Sequence, residues 1–387
     1  MNYMGIDHHK QYSYITLMDD VGEVIKSGKV SNYRSEVEKF LVGTRDIEAV
    51  VEAGRSSYTM VDLLDEIGID VTIAHPKEVK AIARARIKTD KRDSYILAHL
   101  LRADLIPEVY KCTRENRLYQ RILRQRAFYV GSITRVKNRI RALIARQGEG
   151  VREEASRVKN LFGTKGMKVL VGLDLPESER KLLGALVKTY RHQDESRKET
   201  NGLVEKLYLE IPEAKHIHTV PGFGVFLSVL VAVEIADIGR FENVGKLHAY
   251  AGVIPSTHSS GERSYHGRII KEGNRWLRWA VVEAVWPAIR ADFDIRCYYE
   301  RLKKRKCSNS AKFIEGCLTS RDIYNPAFPG KILQQFINGF EPLGAFGVTR
   351  PVRVFQIDWV PDYSNFDHGY SSCVYLKYVE LRDFSSN

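Results

Sequence analysis

The chain has 387 residues, 44% of them apolar, and carries 60 Lys and Arg against 48 Asp and Glu, a net charge of +12. That length holds two or three domains with sizeable cores, and the positive balance points to a polyanionic partner rather than an acidic one. Five cysteines, odd in number and without metal-ligand spacing, argue against a disulfide framework and fit free thiols in a reducing cytoplasm, while no apolar run reaches membrane-spanning length, so no membrane partner is expected.

The chain opens as a strand rather than as a signal peptide. Residues 3–7 (YMGID) read as a short buried strand, and residues 12–18 and 23–30 alternate and are rich in β-branched or aromatic side chains, so two more strands follow. Residues 32–41 form an amphipathic helix, 47–51 a strand that runs into Glu52, 57–67 a helix and 70–75 a strand, after which Pro76 opens a helix. The order βββαβαβα describes a mixed α/β domain over residues 1–110. A further helix begins near Asp90 and Asp93 and carries Ile96, Leu97, Leu100, Leu101 and Leu105 at helical spacing.

Four carboxylates stand out in this order. Asp7 ends the first strand and Glu52 the fourth, while Asp90 and Asp93 project from one face of the last helix. Ligand sites in such sheets form at strand ends. Carboxylates brought together repel unless a cation lies between them, and a hard divalent ion such as Mg²⁺ takes oxygen ligands of this kind. The plainer alternative is that Asp90 caps the helix and Asp93 sits favourably in its first turn. His8 and His9 adjoin the first acid and read as neighbours rather than ligands, because Mg²⁺ prefers oxygen.

Residues 111–211 follow as a basic helical arm. Between residues 114 and 146 there are ten Lys and Arg and one acid, Glu115, on a frame of apolar residues at helical spacing. Arg117, Arg121, Arg124, Arg135, Arg139 and Arg141 form a run that repels itself unless neutralised, and contact with phosphate does this; a solvated or packing face is the alternative. Residues 148–172 read as a connector and 176–211 as one or two amphipathic helices. In residues 218–241 the PGFG turn, with Gly222 and Gly224, enters an apolar helix. Such a turn exposes backbone amides that can hold phosphate, as in a helix-hairpin-helix element, or is a plain helix entry. Residues 246–278 (KLHAYAGVIPSTHSSGERSYHGRIIKEGNRWLR) read by composition as a polar, Gly-rich loop leading to a helix.

YMGIDHHK, VVEAG and KTDKRDS, together with the AG-x-x-P, Ser-Gly and Gly-Asn-to-Leu-Arg pattern of residues 251–278, resemble the IS110-family transposases, the bridge-RNA-guided DEDD recombinases, and their invertase relatives. The resemblance implies a RuvC-like, RNase H-type domain whose Asp7, Glu52, Asp90 and Asp93 bind Mg²⁺ or Mn²⁺. It implies a coiled-coil arm, and a mostly helical transposase domain over 212–307 whose nucleophile falls on Ser260, with Ser259 adjacent. Arg263, Arg268, Lys271 and Arg278 would then hold the scissile phosphate. DNA, a structured bridge RNA and a homo-oligomer (a dimer, and a tetramer when active) are the implied partners. Rival expectations are a hydrolytic RuvC-like nuclease, a site-specific invertase, and an inactive copy that only binds nucleic acid.

The match fades after residue 307. Residues 308–387 hold seven Lys and Arg against eight Asp and Glu, with fourteen aromatic residues, where the family continues as an Ala, Arg and Leu helix. This tail is expected to be foreign to the family or an added β-rich module, with strand-like alternation at 352–357 and 372–379.

Overall fold

The computed structural model describes residues 1–83, 89–260, 263–269 and 272–305, giving the backbone path alone for 255–260, 263–269 and Arg305. The chain divides into two units, Met1–Ile332 and Leu333–Asn387, and every described residue belongs to the first. The strands expected in the tail lie outside the described residues.

The N-terminal elements follow the expected order: β1 (Asn2–His8), β2 (Tyr12–Met18), β3 (Val24–Ser31), α1 (Arg34–Leu41), β4 (Ile47–Glu52), α2 (Ser57–Glu66), β5 (Asp70–Ala74), α3 (Pro76–Ile82) and α4 (Asp90–Arg102). The five strands form one mixed sheet in the order β3-β2-β1-β4-β5. The β2–β1 and β2–β3 pairs are antiparallel, whereas β4 runs parallel to both β1 and β5. Alternation along β1 separates its two faces. Met4 and Ile6 pack with Val51, Ile73 and the apolar sides of α1 and α2. Tyr3 and Val50 pack on the opposite face against Leu97, Leu100 and Leu101 of α4.

Gly5 lies on that second face. A Cβ there would stand 2.0 Å from the Ser94 carbonyl oxygen and 2.4 Å from the Ala98 nitrogen, so β1 and α4 meet backbone to backbone. Thr16, opposite Gly5 in the ladder, completes the seam through a 2.7 Å hydroxyl contact with Ser94. Both hydroxyls are buried; Ser94 Oγ also donates to Lys91 O at 3.1 Å and Thr16 Oγ1 also meets Ser27 Oγ at 3.2 Å.

The arm is built on two long helices, α5 (Arg114–Ala145) and, after α6 (Glu149–Ser156) and α7 (Thr164–Gly172), α8 (Glu177–Glu210). Each is roughly 50 Å long at 1.5 Å per residue. They run antiparallel: Leu123 packs near Val204 and Leu207, while Ile140 and Ile144 pack with Leu183 and Val187. The expected connector instead contributes α6 and α7 to the tip. Ala155, Phe162 and Leu170 join the ends of the long helices there in one core, which gives the segment an apolar reason to fold.

The third region contains α9 (Pro212–His218), α10 (Val225–Ile235), α11 (Val244–Ala251), β6 (Pro255–Ser260), β7 (Arg263–Ile269), α12 (Arg275–Ala291) and α13 (Phe293–Arg305). Every residue of α10 from Ser228 to Ile235 is buried, as a helix apolar on all sides but for Ser228 and Glu234 requires. Leu123, Tyr119 and Ile122 of α5 belong to the same core, so the arm's root is part of this region. β6 and β7 pair as an antiparallel hairpin where composition suggested a loop. Among the described residues no helix is long and apolar enough to cross a membrane.

Candidate metal centre and nucleic-acid interface

Asp7 stands two residues beyond Gly5 on β1, hence on the face covered by α4. The parallel β1–β4 ladder sets Ile6 opposite Val51, so the next residue of β4, Glu52, comes beside Asp7. The close Gly5 seam brings the first turn of α4, with Asp90 and Asp93, over these strand ends. Thr89 caps that helix, its hydroxyl accepting from the Arg92 amide at 3.3 Å. Capping by Asp90, the plainer expectation, is therefore corrected, and the Asp90 carboxylate turns to other partners.

Those partners define the centre. Asp90 Oδ2 accepts from Tyr12 Oη at 3.1 Å and lies 3.3 Å from His9 Nε2. The same nitrogen lies 3.4 Å from Asp7 Oδ2. Neither approach is an aligned hydrogen bond, and Nε2 is shielded from solvent between the two carboxylates. One ligating atom each of Asp7, His9 and Asp90 falls within 4.8 Å of the others, the spacing of a small cation's ligand shell. His9 was set aside on sequence grounds. The tight β1–β2 turn, in which the His9 amide donates to Tyr12 O at 2.9 Å, folds it back over the strand end and stacks it on Tyr12 with ring centroids 4.8 Å apart.

The surroundings are polar and ordered. The hydrogen bond to Asp90 is the main cause holding the Tyr12 phenol above its usual pKa, so it stays a donor. Lys29 lies 3.6 Å over the Tyr12 ring. His8 points to the other face, with Nδ1 2.9 Å from Ser13 Oγ and Nε2 3.3 Å from Thr59 Oγ1. Burial lowers its pKa, opposed by a hydrogen bond with the Ser56 backbone. Two carboxylates and an imidazole around one point are a donor set that fits a divalent metal, while Glu52 and Asp93, on the neighbouring strand end and helix turn, fall outside that close group.

The arm's arginines separate into two groups. Arg117 is mostly buried: Nη2 pairs with Asp62, Nη1 donates to Cys112 O at 2.7 Å, and the guanidinium lies 4.1 Å over the Tyr58 ring. Arg124 donates to the buried carboxylate of Glu234 at 3.1 Å. Arg117 is thus held by partners within the protein, while Arg124 is tied to Glu234 with 41% of its side chain still exposed. Arg121, Arg135, Arg139 and Arg141 are exposed along α5.

In the PGFG turn, Gly222 adopts φ +94°, and a Cβ there would stand 2.1 Å from Ala284 O, so packing against α12 accounts for the glycine. Gly224 is the exposed N-cap of α10 with open space around it. Ser260 closes β6 opposite Arg263, with Ser259 opposite Ser264, and Arg268 lies on β7; the side chains of these residues, and all of Lys271, lie outside what is described. Arg278 of α12 donates to Ala251 O at 3.2 Å.

A family model for the transposases of IS116, IS110 and IS902 matches residues 214–300, and a DEDD transposase model of IS110 matches residues 4–147. Together the two cover more than half of the chain. The chain belongs to the IS110 family of transposases. It is 25% identical over 289 residues to the transposase of insertion sequence element IS1111A from Coxiella burnetii, covering 74% of this chain and 78% of that protein. It is 24% identical to the putative transposase y4qE of Sinorhizobium fredii, covering 73% and 71%. It is 23% identical over 362 residues to an uncharacterized 44.8 kDa protein of insertion element IS116 from Streptomyces clavuligerus, covering 78% and 88%.

The IS110 model ends at residue 147, at the far end of α5, so it spans both the acid centre and the helix that carries the arginines. Besides His9, sequence reasoning missed Glu234 and Asn274. Glu234 is an acid at the apolar heart of α10, and Asn274 belongs to the family's Gly-Asn pair. The isolated charge within VFLSVLVAVEI was the available signal, since a buried carboxylate needs partners.

Proposed function

We propose that this IS110-family chain is a DNA recombinase that cuts and rejoins strands with a divalent-metal centre of Asp7, Glu52, Asp90 and Asp93 and a serine nucleophile, Ser260. The observation that carries the reading is the meeting of Asp7 and Asp90, from opposite ends of the α/β domain, around one point at the strand ends. The strand order β3-β2-β1-β4-β5, with a single antiparallel wing, supports an RNase H-like, RuvC-type fold for that domain.

Mg²⁺ or Mn²⁺ bound there supplies a Lewis acid for a phosphoryl oxygen. The carboxylates hold it, and Tyr12 orients Asp90 by donating to Oδ2. Ser260 Oγ attacks the scissile phosphorus and gives up its proton to solvent, a P–Oγ bond forms, the P–O3′ bond breaks, and the 3′-oxygen takes a proton from solvent and leaves as a hydroxyl, so that the net proton balance is zero. A 3′-hydroxyl of a second strand then reverses the step, releasing serine and joining the strands. Arg263, Arg268, Lys271 and Arg278 contact the phosphate, and Gly224 offers backbone amides. Arg121, Arg135, Arg139 and Arg141 bind nucleic-acid backbone along the arm. A structured bridge RNA selects the DNA sites, and the working particle is a homo-oligomer, a dimer that becomes a tetramer when active, in the cytoplasm; these last points rest on the family resemblance.

Covalent trapping tests the reading. A protein–DNA adduct formed with Mg²⁺ and lost in Ser260→Ala supports it. Metal-dependent cleavage without an adduct makes the chain a hydrolytic nuclease. Salt-sensitive binding without cleavage, unchanged by Asp7→Ala, makes it an inactive binder.

A further inference from the structure

The β6–β7 hairpin leaves the third region after Ile254 and returns at Glu272, and the residues beneath its two feet form a single clamp. Gly252 ends α11 in the left-handed conformation, φ +67°. A Cβ on Gly273 would stand 2.3 Å from Gly252 N and 2.6 Å from Tyr250 O, so the returning chain presses directly on the outgoing one. Asn274 N donates to Tyr250 O at 2.6 Å. The Asn274 side chain works in two directions. Its Oδ1 accepts from the amides of Trp276 and Leu277 at 2.9 and 3.1 Å, starting α12. Its Nδ2 donates to Glu234 Oε2 at 2.8 Å and to Tyr250 Oη at 3.2 Å.

Glu234 is 3% exposed in an otherwise apolar helix. Its other oxygen accepts from Arg124 Nη2 at 3.1 Å, and its carbonyl accepts from Tyr250 Oη at 3.4 Å. The Glu234 carboxylate thus ties α10 to α5 and to the start of α12, and Tyr250 of α11 joins through the Glu234 carbonyl and Asn274, at the point from which the hairpin rises. A packed apolar side chain at this position would cost less than a buried carboxylate that needs a partner for each oxygen. What the charged network adds is direction: each bond fixes an angle that dispersion contacts leave free.

We propose that Glu234, Asn274 and Tyr250 are positioning residues that hold both feet of the hairpin, and through it set the place of Ser260. The proposal rests on the reading of Ser260 as nucleophile. The clamp touches no DNA and takes no part in bond making. It holds β6 so that the serine end of the strand is presented in one orientation, in the way supporting groups hold a catalytic group in productive geometry.

The experiment uses the full chain and three mild variants. Asn274→Ser keeps a helix-capping hydroxyl but loses the reach to Glu234, Tyr250→Phe removes one hydroxyl, and Glu234→Gln keeps an acceptor while losing the charge facing Arg124. Amide hydrogen exchange, thermal melting, binding to a duplex oligonucleotide from the end of the chain's own insertion element, and adduct formation on that duplex are measured together. In Asn274→Ser, exchange across residues 255–269 rises at least tenfold, adduct formation slows at least tenfold, duplex affinity holds, and the melting temperature falls by no more than a few degrees; Glu234→Gln falls between it and the wild type. Unchanged exchange in the hairpin, or an equal rise throughout α10 and α12, overturns the clamp. An adduct that persists in Ser260→Ala overturns the serine reading on which the proposal stands. An adduct lost in Ser260→Ala yet formed at wild-type rate in Asn274→Ser and Glu234→Gln overturns the positioning role alone.

Discussion

Tyr12 shows how much of the proposed centre is held by groups that are not ligands. Its hydroxyl is the donor to Asp90 Oδ2, and its ring carries both the His9 stack and the Lys29 contact. Supporting groups of this kind are typically worth 10- to 100-fold in metal affinity. Tyr12→Phe keeps the ring and removes the donor, so Mn²⁺ binding followed by isothermal titration calorimetry should weaken roughly tenfold with melting unchanged. A second contrast lies in the arginines. Arg117→Ala strips the partner from Asp62 and leaves Cys112 O without its donor; chemical denaturation should show a loss of about 2 kcal/mol, the scale of hydrogen bonds to charged groups. Arg139 is exposed on the same helix. Arg139→Ala should leave stability intact and lower the slope of log affinity for DNA against log salt by about 1.

At the scale of elements, the seam between β1 and α4 does the positioning. Gly5→Ala places a methyl group 2.0 Å from Ser94 O, a distance only backbone movement can relieve. Overpacking of this kind costs about 3 kcal/mol, and it shifts the helix that carries Asp90 and Asp93. Divalent-ion binding should therefore fall in a variant whose ligands are all intact, as titration calorimetry beside a denaturation curve would show. The strands of this domain were legible because they are short apolar runs: Met4 and Ile6 alternate along β1 towards one face, and the consecutive Val50 and Val51 of β4 are buried on opposite faces of the sheet. The β6–β7 hairpin was not, because PSTHSS and RSYHGRI carry small polar residues with no apolar face to give a period. The arm's helices were legible from spacing, whereas the fate of each arginine was not: Arg117 and Arg124 are seven apart and share the inward face, a choice made by Asp62 and Glu234 on other elements. Of the four acids read from the sequence, Asp7 and Asp90 come together, and the imidazole between them was not legible, because the turn that returns His9 to the strand end is a matter of backbone path rather than residue type.

Across the whole described unit, the root of α5 joins the α/β domain to the third region. Arg117 reaches Asp62 of α2, while Asn116 donates to Val233 O of α10 at 2.8 Å. Arg240 stacks near the rings of Tyr110 and Tyr250 at 4.2 and 4.3 Å. Lys77 of α3 meets Glu272, at the returning foot of the hairpin, at 2.6 Å. That pair is solvent-exposed and screened by salt, so the buried contacts at the α5 root carry the junction. The carboxylate centre and the hairpin that bears Ser260 are thus parts of one connected frame, and the proposed recombinase chemistry requires the first of them to be a cation site. Crystals soaked in Mn²⁺ and measured at the manganese absorption edge test this most directly. An anomalous peak is expected within about 2.5 Å of carboxylate oxygens of both Asp7 and Asp90, with Glu52 beside it, and no peak in Asp7→Asn; a wild-type crystal with no peak there, or with manganese bound only elsewhere, would show that the centre is not a cation site.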